Sequence, residues 1–244
     1  MKTLNKILLL LLIVQLTSCI NENECITGSG TKITKELAVP TFSKFTSYGN
    51  HNIVVTQGNT QKILVSGYPN IISELKRGVA NGHWKMAFED YDCYGNSDLD
   101  IQITIPNIEE ANLVGTGKVT IHNFSNNNKE LRLNLSGSGD FEIYENSGTE
   151  ELNITIDGSG NLFAHKDFIN LKNLHVAIRG SGDVNAFPLH TENANIKIIG
   201  SGHGNIYVKS LLDITIDGSG IIYYKGNPTI SQTILGSGKL INTN

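Results

Sequence analysis

Residues 152–164 read Leu152-Asn153-Ile154-Thr155-Ile156-Asp157-Gly158-Ser159-Gly160-Asn161-Leu162-Phe163-Ala164, and their pattern predicts the fold of this chain. Apolar and polar side chains alternate up to the glycine pair, and the alternation resumes after it. Because successive side chains of a strand point to opposite faces, each half predicts a strand with one buried face. Glycine between the halves permits a sharp bend that a residue with a Cβ resists. The stretch therefore predicts two strands joined by a corner.

The same pattern recurs along the last two-thirds of the 244-residue chain. The seven Gly-Ser-Gly or Gly-Thr-Gly triplets of this region begin at Gly115, Gly137, Gly158, Gly180, Gly200, Gly218 and Gly236. Consecutive triplets start 18 to 22 residues apart, and an eighth triplet at Gly28 stands apart from them. A period of this length is typical of repeat architectures.

Two strands and a return in each repeat match one coil of a solenoid, whose equivalent strands pair in parallel at roughly 4.8 Å. We therefore predict an all-β fold, a single-stranded right-handed parallel β-helix-like solenoid with Gly-Ser-Gly corners. A meander or sandwich of hairpins is the alternative, but its turns would more often contain Asn-Gly or Asp-Gly pairs. Polar residues enter the inward rows at Glu109 and Gln232, which predicts that the first and last triplets mark the two ends. Gly202-His203-Gly204 predicts a local bulge.

The region before the first triplet is also rich in alternating strands. We expect one continuous β-solenoid domain over residues 31–244, with residues 31–107 forming less regular N-terminal coils or a cap. Residues 70–82 could form a short helix, but their β-rich neighbours and the Asn81-Gly82 turn favour an extended strand. Residues 1–18 are predicted to be a lipoprotein signal peptide and residues 19–30 a lipid-anchored tether.

The start of the chain indicates the cellular compartment. Two lysines precede an apolar run over residues 7–14, which is too short to favour a membrane span. Leu16-Thr17-Ser18-Cys19 resembles a bacterial lipobox, which implies cleavage before Cys19 and attachment of lipid to its thiol. An ordinary secretory signal is the alternative. The expected location is the bacterial cell envelope, with a lipid anchor in the outer membrane.

Two cysteines follow the lipobox, Cys25 and Cys93. In an oxidising envelope they could form a disulfide, and a reactive thiol is the alternative. No CxxC motif or pair of nearby histidines accompanies them, so a metal site is not predicted.

The mature chain resembles the head GIN domain family (DUF2807), whose members are labelled putative auto-transporter adhesins. The resemblance covers roughly residues 25–240 and lies in Cys25-Ile26-Thr27-Gly28-Ser29-Gly30, Phe42-Ser43-Lys44-Phe45, Ile53-Val54-Val55-Thr56-Gln57-Gly58, Asn81-Gly82, Leu99 to Pro106 and the Gly-Ser-Gly strands. It implies a parallel β-helix-like fold and an adhesin role on a bacterial envelope. It supplies no catalytic or binding residues.

The sequence contains no GxSxG elbow, HExxH motif, phosphate-binding loop or GxGxxG fingerprint, so we predict no catalytic residue, metal or cofactor. Register between coils would bring polar side chains together at the corners. The candidate binding edge consists of Asp140, Asp157, Arg179, Asp183, His203 and Asp217. These carboxylates could bind Ca²⁺, contact sugar hydroxyls or catalyse polysaccharide cleavage, and a solvated polar edge is the alternative.

Three functions follow from these observations. We favour a non-enzymatic adhesion or binding module for polysaccharide or a surface partner, with Tyr207 and Tyr223 as exposed contacts. The alternatives are a polysaccharide-degrading enzyme and a structural partner in an envelope complex. A net charge of −4 argues against nucleic acid. The expected partners are the membrane through the lipid anchor, a polysaccharide or protein, and a second copy joined through the solenoid ends.

Overall fold

The computed structural model describes residues 25–89, 93–125 and 129–244. Its one helix there is α1 (Pro69–Glu74). The strands of the described residues are β1 (Ile26–Thr27), β2 (Ile33–Glu36), β3 (Lys44–Gly49), β4 (Asn52–Gln57), β5 (Lys62–Gly67), β6 (Val79–Ala80), β7 (His83–Met86), β8 (Tyr94–Gly95), β9 (Asp100–Ile105), β10 (Glu110–Gly115), β11 (Lys118–His122), β12 (Phe124–Ser125), β13 (Glu130–Gly137), β14 (Asp140–Ile143), β15 (Asn146–Ser147), β16 (Glu151–Gly158), β17 (Asn161–Ala164), β18 (Phe168–Ile169), β19 (Asn173–Gly180), β20 (Asp183–Gly200), β21 (His203–Gly218), β22 (Ile221–Lys225), β23 (Thr229–Gly236) and β24 (Lys239–Asn242).

Parallel pairing in register joins the repeats into a β-solenoid. The strand before each corner pairs with its counterparts, in the order β3, β10, β13, β16, β19, β20, β21 and β23. The strand after each corner does the same, in the order β4, β11, β14, β17, β20, β21, β22 and β24. These two sets form the first wall and the second wall. The arrangement confirms the predicted parallel β-solenoid.

Each corner packs main chain directly on main chain. At Gly158 the backbone has φ +136°, a conformation that L side chains rarely adopt. The N–H groups of Ser159 and Gly160 both donate to the carbonyl of Gly137 in the preceding coil, at 2.9 and 3.1 Å. A Cβ on Gly158 would collide with that same carbonyl oxygen. Both the conformation and the close approach therefore require glycine.

The core runs along the solenoid axis as stacked rows of apolar side chains. One row consists of Leu133, Ile154, Val176, Ile196 and Ile214, each in register with the next and each at most 3% exposed. Burial of such a side chain contributes about 1.5–3 kcal/mol, so repetition of the row supplies much of the stabilisation. The alternation in the sequence predicted this row correctly.

The coil at Gly115 is an interior coil, which corrects the prediction that it marks an end of the solenoid. Strand β10 pairs with β13 on one side and with β3 on the other. Gly49-Asn50-His51 is the true first corner, because Gly49 is in register with Gly115. The sequence hid this corner, since His51 replaces the second glycine. Glu109 is accommodated because its carboxylate accepts a hydrogen bond from the Ser43 hydroxyl at 2.9 Å.

An insertion between β4 and β10 covers the N-terminal end. Strands β9 and β7 extend the two walls by pairing in parallel with β4 and β3. Strand β5 then adds antiparallel to β9, β2 adds antiparallel to β5, and β6 adds antiparallel to β7. The described residues thus place a mixed sheet at this end; we call β2, β5, β6, β7, β8, β9 and α1 the cap.

Residues 69–74 form a short helix, so the extended strand predicted from residue 70 is wrong there. Pro69 lies in the first helical turn, where its missing N–H costs nothing. The N–H of Ile72 donates to the carbonyl of Tyr68 at 2.9 Å. Ile71 and Ile72 are both 1% exposed, so packing of the helix against the core overrides the β-rich sequence context.

A third side of the coil changes along the solenoid. Strands β12, β15 and β18 form a separate small parallel sheet there. The following coils are shorter, and β20 and β21 each run continuously from the second wall to the next first-wall position. Register shifts occur between Ala186 and His190 and between Thr191 and Asn193. The bulge predicted at residues 202–204 is absent from these described residues, because His203 and Gly204 are in register with Asp183 and Val184.

Candidate functional site

The six residues of the candidate binding edge lie in two rows, one on each side of the corner glycines. Asp157, Arg179 and Asp217 stand one residue before the corner, with Ile199 between the last two. The row after the corner contains Asp140, Asn161, Asp183 and His203 in consecutive coils. The structure therefore brings the six candidates to one corner of the solenoid but divides them between its two walls.

Hydrogen bonds within the second of these rows engage its carboxylates. Asn161 Nδ2 donates to Asp140 Oδ1 at 3.0 Å, and Asn161 Oδ1 accepts from the main-chain N–H of Asp183 at 3.2 Å. Asp183 Oδ1 accepts from the main-chain N–H of His203 at 2.9 Å and lies 2.9 Å from His203 Nδ1. This row is a chain of polar contacts between successive coils.

The row before the corner combines one ion pair with exposed apolar side chains. Arg179 Nη1 lies 2.9 Å from Asp157 Oδ1. Asp217 stands between Ile199 and Leu235, which are 39% and 58% exposed. Tyr48 and Val114 occupy the same row in the first coils and are also exposed. The corner therefore offers apolar contact area as well as charge.

The spacing of the corner carboxylates does not suit glycoside hydrolysis by Asp157 and Asp217. Three coils separate them, which corresponds to about 14 Å at the usual strand spacing. Paired catalytic carboxyl groups of glycosidases lie roughly 5–9.5 Å apart. Within residues 25–89, 93–125 and 129–244, no group of three His, Cys, Asp or Glu side chains could hold a metal ion.

The described residues with shifted pKa values lie outside the candidate binding edge, and each makes a structural contact. A hydrogen bond from Lys172, 2.7 Å away, lowers the pKa of Glu150. A hydrogen bond from Lys209 at 3.0 Å lowers the pKa of Glu192 in the same way. Burial lowers the pKa of His51 to about 4, and the nearby charge of Asp98 opposes this effect. Each contact joins neighbouring coils or the cap, which favours a structural role.

The outer side of the second wall carries a different set of side chains. Phe163, Asn185, Asn205 and Tyr223 follow one another in register along four coils. Each is half-buried and points outward, because the residues beside it in the strand are buried. The row therefore has an aromatic ring at each end and two amides between them, over about 14 Å.

A second aromatic row lies beside the first, two residues further along each strand. The ring of Tyr144 stacks between those of His122 and His165, with centroids 4.5 and 4.6 Å apart. Further along the solenoid, Tyr207 contacts the ring of His190 at 4.4 Å. Lys225 Nζ lies 4.8 Å from the centroid of the Phe187 ring. We call the surface formed by both rows the aromatic face; its residues are Phe163, Asn185, Asn205, Tyr223, His122, Tyr144, His165, Phe187, His190, Tyr207 and Lys225.

Charged side chains lie on and beside the aromatic face. Glu142, in register with Phe163, forms an ion pair with Lys118 at 2.7 Å, and its other oxygen lies 3.9 Å from His165 Nε2. Asp167 Oδ2 lies 3.1 Å from His190 Nδ1. Apolar rings surrounded by fixed polar groups are the arrangement that ligand-binding surfaces use for affinity and orientation.

Sequence reasoning identified this face only in part. The sequence predicted Tyr207 and Tyr223 to face outward, which the structure confirms. Phe163 and Phe187 were not predicted, because only residues adjacent to the corner glycines were expected to lie together. The available signal was the alternation itself, since Phe163 and Phe187 are the third and fifth residues after the second glycine of their coils and alternate with buried residues.

A cleft in the N-terminal region offers a second concave surface. It has a volume of about 480 Å³ and is lined mainly by apolar atoms, with Phe42, Pro106 and Gln61 among its residues. Asn107 also lines it, and Asn107 Oδ1 is buried without a hydrogen-bond partner. The cleft is separate from the aromatic face.

Cys25 and Cys93 are joined by a disulfide in the structure. It lies beside the parallel pairing of β1 with β8, which attaches the start of the described chain to the cap. Cys19, the predicted lipidation site, lies outside the described residues. No helix within the described ranges is long and apolar enough to cross a membrane.

Comparisons with known proteins identify one family. Its model, described as putative auto-transporter adhesin, head GIN domain (DUF2807), matches residues 41–228. No curated protein matches the chain.

Solved structures share the fold. A putative adhesin from Bacteroides fragilis is 24% identical, with a TM-score of 0.79, and the match covers 89% of this chain and 100% of that one. A putative lipid binding protein from Parabacteroides distasonis is 23% identical, with a TM-score of 0.73 and coverage of 91% and 100%. A putative adhesin from Parabacteroides merdae is 19% identical, with a TM-score of 0.71 and coverage of 91% and 100%.

Proposed function

Since the chain belongs to the DUF2807 head GIN domain family, we propose that it is a non-catalytic adhesion module that binds extended polysaccharide through its aromatic face. The family description supports adhesion, and the described residues supply a surface suited to it. The solenoid acts as a rigid support that holds this surface in a fixed arrangement.

The row Phe163-Asn185-Asn205-Tyr223 is the observation that carries the proposal. Aromatic rings provide apolar area for the C–H faces of sugar rings, and amides both donate and accept hydrogen bonds to hydroxyls. The regular spacing of the coils matches a ligand that is itself a repeating chain. A flat, partly exposed row of this kind suits reversible contact with a long glycan better than enclosure of a small molecule.

The proposed location is the surface of a bacterial outer membrane, with Cys19 as the lipid attachment site. Support comes from the lipobox-like sequence and from the family description. A thioether-linked diacylglycerol together with an amide-linked acyl chain would anchor the protein firmly, since two or more acyl chains suffice for stable attachment. The polar segment from residue 20 to residue 24 would then separate the solenoid from the lipid surface.

A protein partner is the second candidate ligand, and one observation favours it. Tyr48, Val114, Ile199 and Leu235 are exposed along the single row before the corner, beside Asp157 and Asp217. A mixed apolar and charged strip of this kind is typical of a protein contact. This candidate uses the corner edge, whereas polysaccharide binding uses the aromatic face.

The two candidates separate in a binding screen on the chain starting at Glu22, which retains every described residue. The protein is applied to arrays of polysaccharides and matrix proteins, with and without Ca²⁺. We expect retention on polysaccharides that is unchanged in Asp217→Asn. Retention only on proteins, with loss in Ile199→Ser, would instead assign the function to the corner edge. Depolymerisation of any retained glycan would contradict a non-catalytic role.

A further inference from the structure

The C-terminal end of the solenoid exposes an open sheet edge. Among the described residues, β23 pairs only with β21, and β24 pairs only with β22. Ile230 is 38% exposed although its counterpart Leu212 is 0% exposed. An open edge of this kind is a template for pairing with another strand.

The direction of the free main-chain groups on β23 follows from the register of the first wall. In this wall the N–H groups of outward-facing residues donate to the preceding coil, as Arg132 does to Glu109 and Asn193 to Lys172. By the same pattern, the N–H and C=O groups of the inward-facing residues Ile230, Gln232 and Ile234 point away from β21. These six groups are the ones available to a further strand.

Strand β23 lacks the features that usually protect an edge. Its sequence, Thr229 to Gly236, contains no charged residue and no proline. The outermost strand at the opposite end, β2, is four residues long and carries Lys35 and Glu36. A second N-terminal edge, β6, has only two residues. Because neither N-terminal edge matches β23 in length or chemistry, head-to-tail stacking of solenoids is disfavoured.

We propose that the open end is covered by the same end of a second copy, so that two chains form a closed dimer about a twofold axis. An axis through Gln232 places β23 antiparallel to its copy and opposes Gln232 with Gln232 of the second copy. Ile230 then faces Ile234 of the second copy, and these three residue pairs use all the free groups of both strands. Since β23 is uncharged, this pairing brings no like charges together on the strand.

Gln232 gives the pairing its register. It is in register with Ile214, so it occupies a position that is apolar in the preceding coils. An amide both donates and accepts, and it can therefore pair with an identical amide across the axis. The other inward residues of β23 are isoleucines, which add apolar area on both sides of this polar contact.

The size of the interface predicts its strength. The exposed end consists of residues 229–244. It therefore has fewer residues than the roughly 20–30 that a stable interface uses on each side. We therefore expect a reversible dimer with a dissociation constant of about 1–100 μM. This proposal is independent of which ligand the aromatic face binds.

Sedimentation velocity over a series from about 1 μM to about 500 μM, on the chain starting at Glu22, tests the proposal. We expect a monomer–dimer equilibrium, which Gln232→Lys weakens at least about tenfold by placing two charges at the axis. The matched control is Gln102→Lys, an exposed residue of β9 at the opposite end, which should dimerise like the wild type. Thermal unfolding checks that both variants are folded.

Three outcomes would overturn the proposal. A wild-type protein that stays monomeric over the whole series would show that the edge does not pair. Equal dimerisation of Gln232→Lys and the wild type would place the contact elsewhere. Oligomers that grow beyond two copies with concentration would show an open rather than a closed assembly.

Discussion

His51 Nδ1 accepts a hydrogen bond from the main-chain N–H of Leu99 at 3.2 Å. His51 occupies the place of the second corner glycine in the first coil, and Leu99 directly precedes the cap strand β9. The imidazole therefore joins the beginning of the solenoid to its cap. It is 1% exposed, and burial lowers its pKa to about 4.

This contact predicts a dependence of stability on pH. Between about pH 4 and pH 6.5 the native imidazole stays neutral while the unfolded one binds a proton. The unfolded state then binds more protons, so the free energy of unfolding is greatest above pH 6.5 and falls as the pH decreases toward 4. Because the pKa of His51 falls from 6.5 to about 4, this residue makes the free energy of unfolding about 3 kcal/mol larger above pH 6.5 than below pH 4.

Urea unfolding at pH 7.5 and pH 5 measures this effect. His51→Gln should be less stable at pH 7.5 and should lose less stability than the wild type at pH 5. His175→Gln, which changes a half-exposed histidine on the outer face of β19, should behave like the wild type. An identical loss in His51→Gln and the wild type would assign the pH dependence to other groups.

Main-chain stacking at the corners predicts a large difference in stability between two glycine-to-alanine variants. Gly158→Ala introduces a Cβ at φ +136° against the carbonyl of Gly137, so we expect destabilisation of at least about 2 kcal/mol. Gly204→Ala is the matched control, because its Cβ would meet only Ile222 Cγ1 at 3.7 Å. Chemical unfolding of both variants provides the comparison, and similar losses of stability would refute main-chain stacking at the corner.

The disulfide predicts a local effect rather than global unfolding. Cys25 precedes β1, a strand of only two residues that pairs only with β8 among the described residues. Reduction should therefore speed hydrogen exchange at Ile26 and Gly28, whose N–H groups donate to the carbonyls of Cys93 and Gly95, while the amides of β16 keep their protection. Loss of protection throughout β16 on reduction would show that the solenoid itself depends on the bond.

The proposed lipid attachment at Cys19 predicts the location of the protein in cells. Cys19→Ser should prevent incorporation of labelled fatty acid and release the protein from the membrane fraction. Cys25→Ser is the matched control and should retain the label, because that cysteine lies beyond the lipobox-like sequence. Labelling of the Cys19→Ser protein would disprove this attachment site.

Much of the fold could be predicted because coil stacking leaves a strong sequence signal. Alternation gave the inward rows, for example Leu152, Ile154 and Ile156, and the glycine triplets gave the corners in register. The cap was harder, since its antiparallel strands and α1 depend on contacts with Ile71 and Ile72 rather than on a repeat. The first corner was missed because His51, a buried and hydrogen-bonded residue, stands where the later corners have their second glycine. This corner therefore lacks the Gly-X-Gly pattern.

The candidate site was less predictable for a physical reason. Outward-facing residues are not constrained by the core, so their sequence carries no period. Asp157 and Asp217 were predicted as site residues because they are charged and adjacent to a corner. The distance between them and the ion pair of Asp157 with Arg179 depend on the register of whole coils. The row from Phe163 to Tyr223 likewise becomes continuous only when four coils are aligned.

Polysaccharide binding by the aromatic face is best tested by measuring the affinity of a variant in which that face is altered. The Phe163→Ala/Tyr223→Ala double variant is compared with the wild type on the polysaccharide that the wild type retains, and Tyr48→Ala serves as the exposed aromatic control. We predict that the double variant binds at least about tenfold more weakly, a loss of about 1.4 kcal/mol, while Tyr48→Ala is unchanged. Equal binding by the double variant and the wild type, or no polysaccharide binding by the wild type, would show that the aromatic face is not a polysaccharide-binding surface.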